Sequence, residues 1–410
     1  MPLSMSRTEF IALIAMMFAT IAFSIDSMLP ALPAIGATLS PNNLNAAQLV
    51  ITSFMLGMGV GTFFTGPLSD TFGRKPVVLA GVAIYIVAAL VASQAQSLEV
   101  MLAARVVQGL GAAGPRVVAL AIIRDLFDGR SMARIMSFVM IIFTLVPALA
   151  PSMGAVIIAY SGWRAVFVAF VVFAIISTLW FMIRLPETLA PENRRPFRLS
   201  TLTGAVREML SHPTVRLSIA VQSLSFGMLF SMISSTQQIF DVTFGRAESF
   251  PLWFGGIAIA ASSASFLNAL LVMRLGMRLL VTVMLAVQLV ITTLMITFEL
   301  AGAQGTLFFA VFVVWQASLF FQAGMTIGNL NAMAMEPMGH IAGMAASVTG
   351  AISTVAAVML SVPVGLMFDG TPLPLAVGVF VEVCAALILM LYLLKAERAA
   401  GLRPVRSTDQ

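Results

Sequence analysis

Long apolar stretches separated by short polar breaks run along the chain from Phe10 to Leu394. Each is about 20 residues long, the length that an α-helix needs to cross roughly 30 Å of hydrocarbon. About twelve stretches occur, roughly half of them on either side of a polar interval at residues 185–213. The pattern predicts an all-α integral membrane protein with twelve transmembrane helices in two pseudo-symmetric six-helix bundles.

The same pattern predicts the domain boundaries. An N-terminal bundle covers residues 1–184, a cytoplasmic linker residues 185–213, a C-terminal bundle residues 214–397 and a cytoplasmic tail residues 398–410. An amphipathic helix around Leu199 to Leu210, inside the linker, is expected to lie on the membrane surface. Two equal halves suggest a duplicated transporter fold, with a substrate site between the halves near the bilayer midplane.

Composition agrees with a membrane location. The chain is 60% hydrophobic and 10% charged, and its mean hydropathy is +1.02, more apolar than any soluble core requires. The first stretch begins almost at Met1, but it is long and lacks a small-residue cleavage site. It is therefore predicted to be a retained span and not a removed signal peptide. The single cysteine, Cys384, excludes an internal disulfide framework.

Basic residues collect in alternate loops, which explains the net charge of +5 better than a nucleic-acid partner would. If the N-terminus is cytoplasmic, the cytoplasmic segments hold Arg74 and Lys75, Arg124, Arg130 and Arg134, Arg184 to Arg216, Arg274 and Arg278, and Lys395 to Arg406. The opposite loops hold mainly Arg164 and Arg246. The positive-inside rule therefore predicts a multi-pass protein of the inner (plasma) membrane with both termini in the cytoplasm.

One acidic residue, Asp26, lies inside the first apolar stretch. A carboxylate at membrane depth is expensive and by default marks a functional site. A titratable group in such a place can bind and release a proton as its surroundings change. Asp26 is therefore the candidate proton carrier of the chain.

The break between the second and third stretches reads Gly66-Pro67-Leu68-Ser69-Asp70-Thr71-Phe72-Gly73-Arg74-Lys75-Pro76. Gly66 and Gly73 allow close backbone approach and a turn, while Asp70 and Arg74 can pair with charges or helix ends at a cytoplasmic gate. The segment resembles the loop signature of the major facilitator superfamily, although Thr71 stands where a basic residue is usual. The alternative is a generic basic loop that only fixes topology.

An equivalent segment in the second half, Leu271 to Arg278, keeps the glycine and arginine of this signature. Met273 stands where the acid would be. This partial repeat supports a duplication of the fold and predicts an asymmetric gate.

The fourth stretch contains Arg105, Gln108 and Gly109 in a pattern that resembles the R-x-x-Q-G motif of proton-coupled antiporters in this superfamily. At the α-helical rise, Arg105 lies about 10 Å below the outer surface, and Asp26 reaches nearly the same depth. The two residues could therefore couple conformation to proton binding. A static buried ion pair is the alternative.

The fifth stretch carries Pro147, Pro151 and Gly154, which resemble the antiporter motif of that helix, with Ala150 and Ala155 in place of two glycines. Small residues allow close helix packing, and the prolines bend the helix, so a joint between conformations is expected, or a plain kink. Together with the segments 26–33, 124–127 and 162–164, these motifs are similar to the bicyclomycin and chloramphenicol resistance (Bcr/CflA) branch of the drug:proton antiporters. The resemblance implies export of small organic compounds in exchange for protons.

The predicted substrate cavity contains residues from both halves: Asp26, Met28, Met55, Met58, Gln108, Arg116, Phe226, Gln322 and Asn329. Arg116 follows Arg105 by eleven residues, so the two point within about 20° of each other on one helix face. Two such arginines favour an anionic or strongly hydrogen-bonding substrate, unless Arg116 pairs with a carboxylate or helix end. The resemblance to the superfamily implies that the last stretch lies at the bundle periphery, so its acid, Glu382, is expected to be protonated or to reach the membrane surface, with a role in proton coupling as the alternative.

These features predict a proton-coupled antiporter that exports small, drug-like compounds by alternating access. An exporter of a sugar or other metabolite with the same fold, or a non-transporting receptor, remains open. The polar groups in the spans form no nucleophile-base pair and no metal cluster, and no nucleotide-binding signature occurs, so neither an enzyme nor a cofactor or metal is expected. The expected partners are a small-molecule substrate, protons and the lipid bilayer, with the protein as a monomer.

Overall fold

The computed structural model describes residues 5–399, and helices make up nearly all of this range. Most of the predicted tail, residues 400–410, lies outside it. The helices are α1 (Arg7–Asp26), α2 (Leu32–Leu39), α3 (Leu49–Phe72), α4 (Arg74–Ser93), α5 (Leu98–Leu126), α6 (Gly129–Ser161), α7 (Arg164–Arg184), α8 (Leu199–Ser211), α9 (Pro213–Gln238), α10 (Phe250–Leu275), α11 (Met277–Leu300), α12 (Gly305–Met335), α13 (Ala342–Leu366) and α14 (Leu373–Ala399).

Membrane-length helices account for the hydropathy pattern. In the described range, eleven apolar segments are long enough to cross a bilayer, and the longest of them, Gly305–Leu366, contains both α12 and α13. Twelve spanning helices result, and the predicted fold class is confirmed. Two shorter helices, α2 and α8, complete the set. Lipid offers no partner to backbone N–H and C=O groups, so apolar stretches of this length satisfy them internally as helices.

The helices group into two compact units. The first contains the described chain up to Thr201 together with Ala247–Gly255, and the second contains Leu202–Arg246 and the described chain from Gly256 onward. The boundary near Thr201 falls inside α8, late in the predicted linker.

Local signals in the sequence explain where individual helices begin and end. Ser6 caps α1 by accepting a hydrogen bond from the backbone N–H of Glu9 at 3.1 Å, and Ser97 caps α5 in the same way. Gly73 joins α3 to α4 with a φ of 102°, a backbone region that residues with a Cβ rarely occupy. The predicted turn at Gly73 is therefore confirmed. Gly66 lies inside α3, so its predicted role in a turn is wrong.

The first span is not one continuous helix. α1 ends at Asp26, a single 3-10 turn covers Leu29–Ala31, and α2 then runs to Leu39. Pro30 and Pro33 follow the break and cannot donate to an α-helical ladder. The break places the only acid in the central part of this span at the carboxyl end of a helix.

Glycines hold the first unit together where side chains would separate the helices. A Cβ on Gly57 or Gly109 would collide with the facing backbone at the crossing of α3 and α5. A Cβ on Gly154 would likewise collide with the carbonyl of Ser27, where α6 crosses the end of the first helix. Backbone contact of this kind is how membrane helices pack tightly without a hydrophobic driving force.

In the second unit, α9 is the central helix and packs against α12, α13 and α14. The short helix predicted around Leu199 is present as α8. Its apolar residues Leu202, Ala205 and Met209 are buried in the protein, so its apolar face is not free to lie on the membrane surface as predicted. On its polar side, Glu208 lies 2.8 Å from the ring of His340.

Candidate functional site

Asp26 is the last residue of α1 and is buried, with 5% of its surface exposed. Among the residues that the structure describes, none donates a hydrogen bond to its carboxyl group or forms an ion pair with it. The carboxyl end of a helix carries partial negative charge, which is unfavourable for a second negative charge. A buried, unpaired carboxyl group at this position is therefore suited to hold a proton.

Arg105 is fully buried and connects three helices. Its guanidinium donates to the carbonyl of Val50 at 3.0 Å, to the carbonyl of Ser24 at 3.0 Å and to Gln108 Oε1 at 2.8 Å. The guanidinium carbon also lies 4.4 Å from the centre of the Phe54 ring. The planar fork of five donors suits arginine to such a junction better than lysine.

The structure places Arg105 beside Ser24 near the end of α1, but not against the carboxyl group of Asp26. No hydrogen bond or ion pair joins the two side chains in the described range, and the alternative of a static Asp26–Arg105 ion pair is wrong. Arg105 instead holds the Ser24 carbonyl, two residues before the carboxyl group on the same helix. In this arrangement the hydrogen-bonded contact between Arg105 and α1 is made through the backbone two residues before Asp26.

Two polar residues at this junction were not predicted from the sequence. The hydroxyl groups of Ser24 and Tyr85 lie 2.6 Å apart, and Ser24 also donates to the carbonyl of Thr20 at 2.6 Å. Because Ser24 donates along its own helix, Tyr85 is the donor of the pair. Tyr85 is one of 3 tyrosines in the chain and lies in the middle of an apolar stretch, which was the available signal. Gln108 Nε2 is buried at the same junction and has no described partner.

The motif of the fifth stretch lies against the candidate proton carrier. Pro147 and Pro151 are inside α6, where each removes one backbone donor, and Gly154 follows one turn later. Gly154 lies on the carbonyl of Ser27, the residue directly after Asp26. A bend of α6 at the prolines would therefore act on the backbone beside the carboxyl group.

The gate motif forms a charged cluster at the start of α4. Arg74 donates to Asp70 at 2.5 Å, to Asp125 at 2.9 Å and to the Ser69 hydroxyl at 2.8 Å. Glu187, from the segment after α7, accepts from the backbone N–H groups of Arg74 and of the next residue, both at 2.9 Å. This carboxylate caps the N-terminus of α4, where the helix dipole favours negative charge.

Further contacts attach the linker to this motif. Lys75 donates to the carbonyls of Met182 and Leu185 at the end of α7. Thr71, which stands where the family signature usually has a basic residue, donates to the carbonyl of Arg195 at 2.8 Å. The predicted pairing of the gate residues with charges and helix ends is therefore present within the first unit.

Neutralising either carboxylate beside Arg74 is expected to slow turnover without weakening substrate binding. The side chain of Asp125 is 18% exposed and that of Asp70 is 49% exposed, so Asp125→Asn should have the larger effect. Initial rates over a range of substrate concentrations in proteoliposomes would separate rate from affinity. Glu192→Gln, at an exposed linker position, is the matched control. A loss confined to affinity would contradict a gating role.

The gate segment of the second unit pairs its arginine with different helices. Arg278, at the start of α11, contacts Glu397 of α14 at 2.7 Å and Glu336 after α12 at 3.5 Å. Neither acid comes from the turn before α11, where Met273 replaces the acid of the first half. The two gate segments are thus asymmetric, as predicted, because different helices supply the carboxylates that pair with their arginines.

The predicted polar row of α12 is buried and largely hydrogen-bonded. Gln322 donates to Thr326 at 3.0 Å, and Asn329 donates to Asn268 of α10 at 2.7 Å and to its own helix. Gln322 Oε1 has no partner among the described residues. Phe226 stacks on Phe230 with ring centres 5.5 Å apart.

The predicted methionine contacts, Met28, Met55 and Met58, are all buried inside the first unit. Arg116 is partly buried, and its Nη1 lies 3.7 Å from the sulfur of Met58. No carboxylate of the described chain lies within ion-pair distance of Arg116, so the alternative of a carboxylate partner is not found. Contact of these residues with a solute stays a prediction.

A second polar surface, on α9, was missed. Ser218, Gln222, Ser225 and Thr236 are buried and have side-chain atoms without a described partner. Their spacings of four, three and eleven residues place them on one face of the helix. The available signal was a helical repeat of uncharged polar residues in an apolar stretch.

The sequence profile of the Major Facilitator Superfamily matches residues 12–363. The chain belongs to this superfamily. Its members are membrane transporters, and the predicted family and multi-pass architecture are confirmed.

Curated relatives within the superfamily cover nearly the whole chain. A bicyclomycin resistance protein homolog of Haemophilus influenzae is 30% identical over 356 residues, which are 85% of this chain and 86% of the relative. The multidrug resistance protein MdtL of Salmonella paratyphi A is 29% identical over 385 residues, 92% of this chain and 93% of the relative. The predicted resemblance to the drug:proton antiporter branch is confirmed by these matches.

Solved structures support the fold alone because their sequences are distant. The xylose transporter XylE of E. coli, in a partially occluded inward-open conformation, matches with a TM-score of 0.73 at 12% identity and covers 95% of this chain and 97% of its own. The human organic anion transporter MFSD10 matches with a TM-score of 0.63 at 16% identity, covering 94% of this chain and 100% of its own. Both are helical transporters of the same superfamily fold.

Proposed function

We propose that this major facilitator superfamily transporter exports small, drug-like organic compounds from the cytoplasm in exchange for protons, with Asp26 as the proton carrier. The observation that carries the proposal is the unpaired, buried carboxyl group of Asp26 at the broken end of α1. The names of the bicyclomycin and multidrug resistance relatives support a drug-like substrate. Proton coupling is typical of that branch.

The contacts around Asp26 suggest how conformation changes its proton affinity. Arg105 holds the Ser24 carbonyl on one side of the carboxyl group, and Gly154 lies on the Ser27 carbonyl on the other. A shift of α5 or α6 would move the backbone at these points and change the distance between Asp26 and the guanidinium charge. A nearer cation stabilises the carboxylate and favours release, and a more distant one favours the protonated form.

The leading alternative is an exporter of a sugar or another polyhydroxylated metabolite. The polar face of α9 favours it, because Ser218, Gln222 and Ser225 offer unpaired hydrogen-bonding atoms. Gln316 of α12 adds both polar atoms of its side-chain amide, each without a described partner. Buried polar groups without partners are costly, so a ligand that supplies the missing bonds would be recognised strongly.

Substrate-induced proton release in detergent is the direct test of the function. Adding a drug-like compound to the protonated protein in weak buffer should release protons if solute and proton compete. A proton-independent uniporter or a non-transporting receptor would bind the compound without this release. A thermal-shift screen of drugs, sugars and organic acids would first supply the ligand, because a compound that binds only the folded state raises its apparent stability.

Arg116 is the residue on which substrate charge depends. Arg116→Ala should weaken binding of anionic or carbonyl-rich ligands by roughly 1.5–3 kcal/mol, the range of a charge-assisted hydrogen bond, and should affect cationic ligands little. Calorimetry on the purified protein would measure the binding free energies of anionic and of cationic ligands. Arg116→Lys, which keeps the charge, and Met58→Leu, which removes only the sulfur acceptor, are the controls. Equal losses for cations and anions would assign Arg116 to helix packing.

The remaining properties follow from topology and family. Arginine and lysine in alternate loops support cytoplasmic termini in the inner membrane. The chain contains a full set of twelve spanning helices, which supports a monomer as the working unit. Membership of a transporter family supports a role without catalysis.

A further inference from the structure

The buried face of α14 contains one acid among apolar residues. Glu382 is 4% exposed, and the helix positions around it, Val379, Val383, Ala386 and Met390, are fully buried. The residue therefore points into the second unit, and the expectation that it reaches the membrane surface is wrong. A carboxyl group on this buried face contributes no apolar packing, so packing does not explain why an acid occupies the position.

Space for the carboxyl group comes from a glycine on the neighbouring helix. A Cβ on Gly227 of α9 would lie 3.1 Å from one oxygen of Glu382 and 3.2 Å from the other. Any side chain at residue 227 would have to push the carboxyl group aside. Gly227 and Glu382 thus form a fitted pair across the contact between α9 and α14.

Among the residues that the structure describes, no opposite charge lies close enough to stabilise an ionised Glu382. The helices that pack on α14 are α9, α11 and α13. In them the charged residues are Arg216 of α9, about 16 Å along the helix from Gly227, and Arg278 and Glu299 near the two ends of α11, while α13 has none. Arg278 is already paired with carboxylates.

On α14 itself, the titratable residues near Glu382 bring no compensating charge. Cys384, a free cysteine two positions further along, offers no cationic group. Lys395 is exposed and about 20 Å away along the helix, and Glu397 is bound to Arg278. Burying an unpaired carboxylate costs several kcal/mol, whereas the neutral acid avoids most of this cost.

Polar groups one helical turn from Gly227 complete the site. Ser231 lies four residues after Gly227, on the same face of α9, and its buried hydroxyl has no partner among the described residues. Oε2 of Glu382 is likewise buried without a described partner. A shift of α9 against α14 by up to one helical turn, about 6 Å, would let hydroxyl and carboxylate meet and would offer the ionised form a hydrogen bond.

We propose that Glu382 is a second proton-binding group, located in the second unit, that adds a proton to the exchange for which Asp26 is required. In the arrangement described, its carboxylic acid is intact; when the contact between α9 and α14 opens to water, the O–H bond breaks, water takes the proton and the carboxylate remains. This inference rests on the proposed function, because it adds one proton to the number exchanged for each solute molecule.

Counting protons per solute in proteoliposomes tests the inference. The membrane potential at which net flux vanishes, measured at a fixed pH gradient and solute gradient, reports the stoichiometry. Glu382→Gln should lose one proton per solute and keep residual proton coupling through Asp26, and Glu382→Asp should restore the count. Unchanged stoichiometry in Glu382→Gln would overturn the proposal.

A spectroscopic readout distinguishes failure of this inference from failure of the proposed function. Infrared difference spectra across a pH titration should show a carbonyl band of a protonated carboxylic acid that is lost in Glu382→Gln. Gly227→Ala, which pushes on the carboxyl group, should shift this band, whereas Gly328→Ala, where a Cβ meets nothing within 4 Å, should not. If the wild type showed this band but no proton-coupled transport, proton antiport would be refuted and the second proton-binding group would stand. If the wild type showed no such band, the second proton-binding group would be refuted.

Discussion

Proton-driven export is expected to disappear in Asp26→Asn while the protein stays folded. The amide has the size of the acid and no described hydrogen bond is lost, because the carboxyl group of Asp26 has none among the described residues. Burial of a neutral amide in place of an unpaired acid should leave the thermal unfolding temperature near that of the wild type. Solute efflux driven by an imposed pH gradient in proteoliposomes measures the loss.

The other acid of α1 provides the matched control. Glu9 lies at the opposite end of the helix and pairs with Arg184 at 2.6 Å, so Glu9→Gln changes the same chemistry without touching the broken end of α1. This variant should keep gradient-driven efflux and lose at most a little stability, because the pair is partly exposed. Wild-type active export by Asp26→Asn would remove the proton-carrier assignment.

The largest loss of stability is expected for Arg105→Ala. Removing the guanidinium leaves the Ser24 carbonyl, in the last turn of α1, buried without its donor, at about 1–3 kcal/mol, and also removes a donor to the Val50 carbonyl and the packing on Phe54. Lysine has one ammonium group at the end of a flexible chain and cannot serve both carbonyls and Gln108 together. Arg105→Lys should therefore fold but export poorly.

Unfolding in denaturant would measure the loss of stability, and efflux rates would measure the loss of transport. Arg164→Ala is a useful comparison, since Arg164 also stacks on an aromatic ring and donates to one carbonyl, that of Ala95, but is only partly buried at the start of α7. Arg164→Ala should therefore lower the free energy of unfolding less than Arg105→Ala does. If both variants unfolded at the same denaturant concentration, Arg105 would not be the junction described here.

The fold could be predicted from the sequence because the bilayer leaves few choices. In lipid, an apolar stretch of sufficient length satisfies its backbone groups only as a helix or in a closed barrel, so hydropathy and length predicted the spans. The break of the first span at Asp26 was harder to predict. Pro30 and Pro33 indicated a disturbance, but the residue at which α1 ends depends on packing with α6 and α5.

For the site, the helical rise predicted the level at which Arg105 meets α1. It could not predict which way the side chain points or which group it contacts. Arg105 lies at the level of α1 that was expected, yet its partner is the Ser24 carbonyl and not the Asp26 carboxyl group. Glu382 was expected at the periphery from the resemblance to the superfamily, and nothing in a single sequence connects it with Gly227, 155 residues earlier. The polar face of α9 is visible in the sequence as a helical repeat, but which of its side chains lack hydrogen-bond partners depends on how the neighbouring helices pack.

The contact between Gly154 and Ser27 restricts how this transporter can evolve. It is made by backbone atoms on one side and by the absence of a side chain on the other, so no substitution can adjust it gradually. Met28, Met55 and Met58 are flexible side chains that other apolar residues of similar size can replace. Under the proposed function, changes in which compounds are accepted are therefore expected to arise at the methionines, whereas any side chain at Gly154 would displace the backbone beside Asp26.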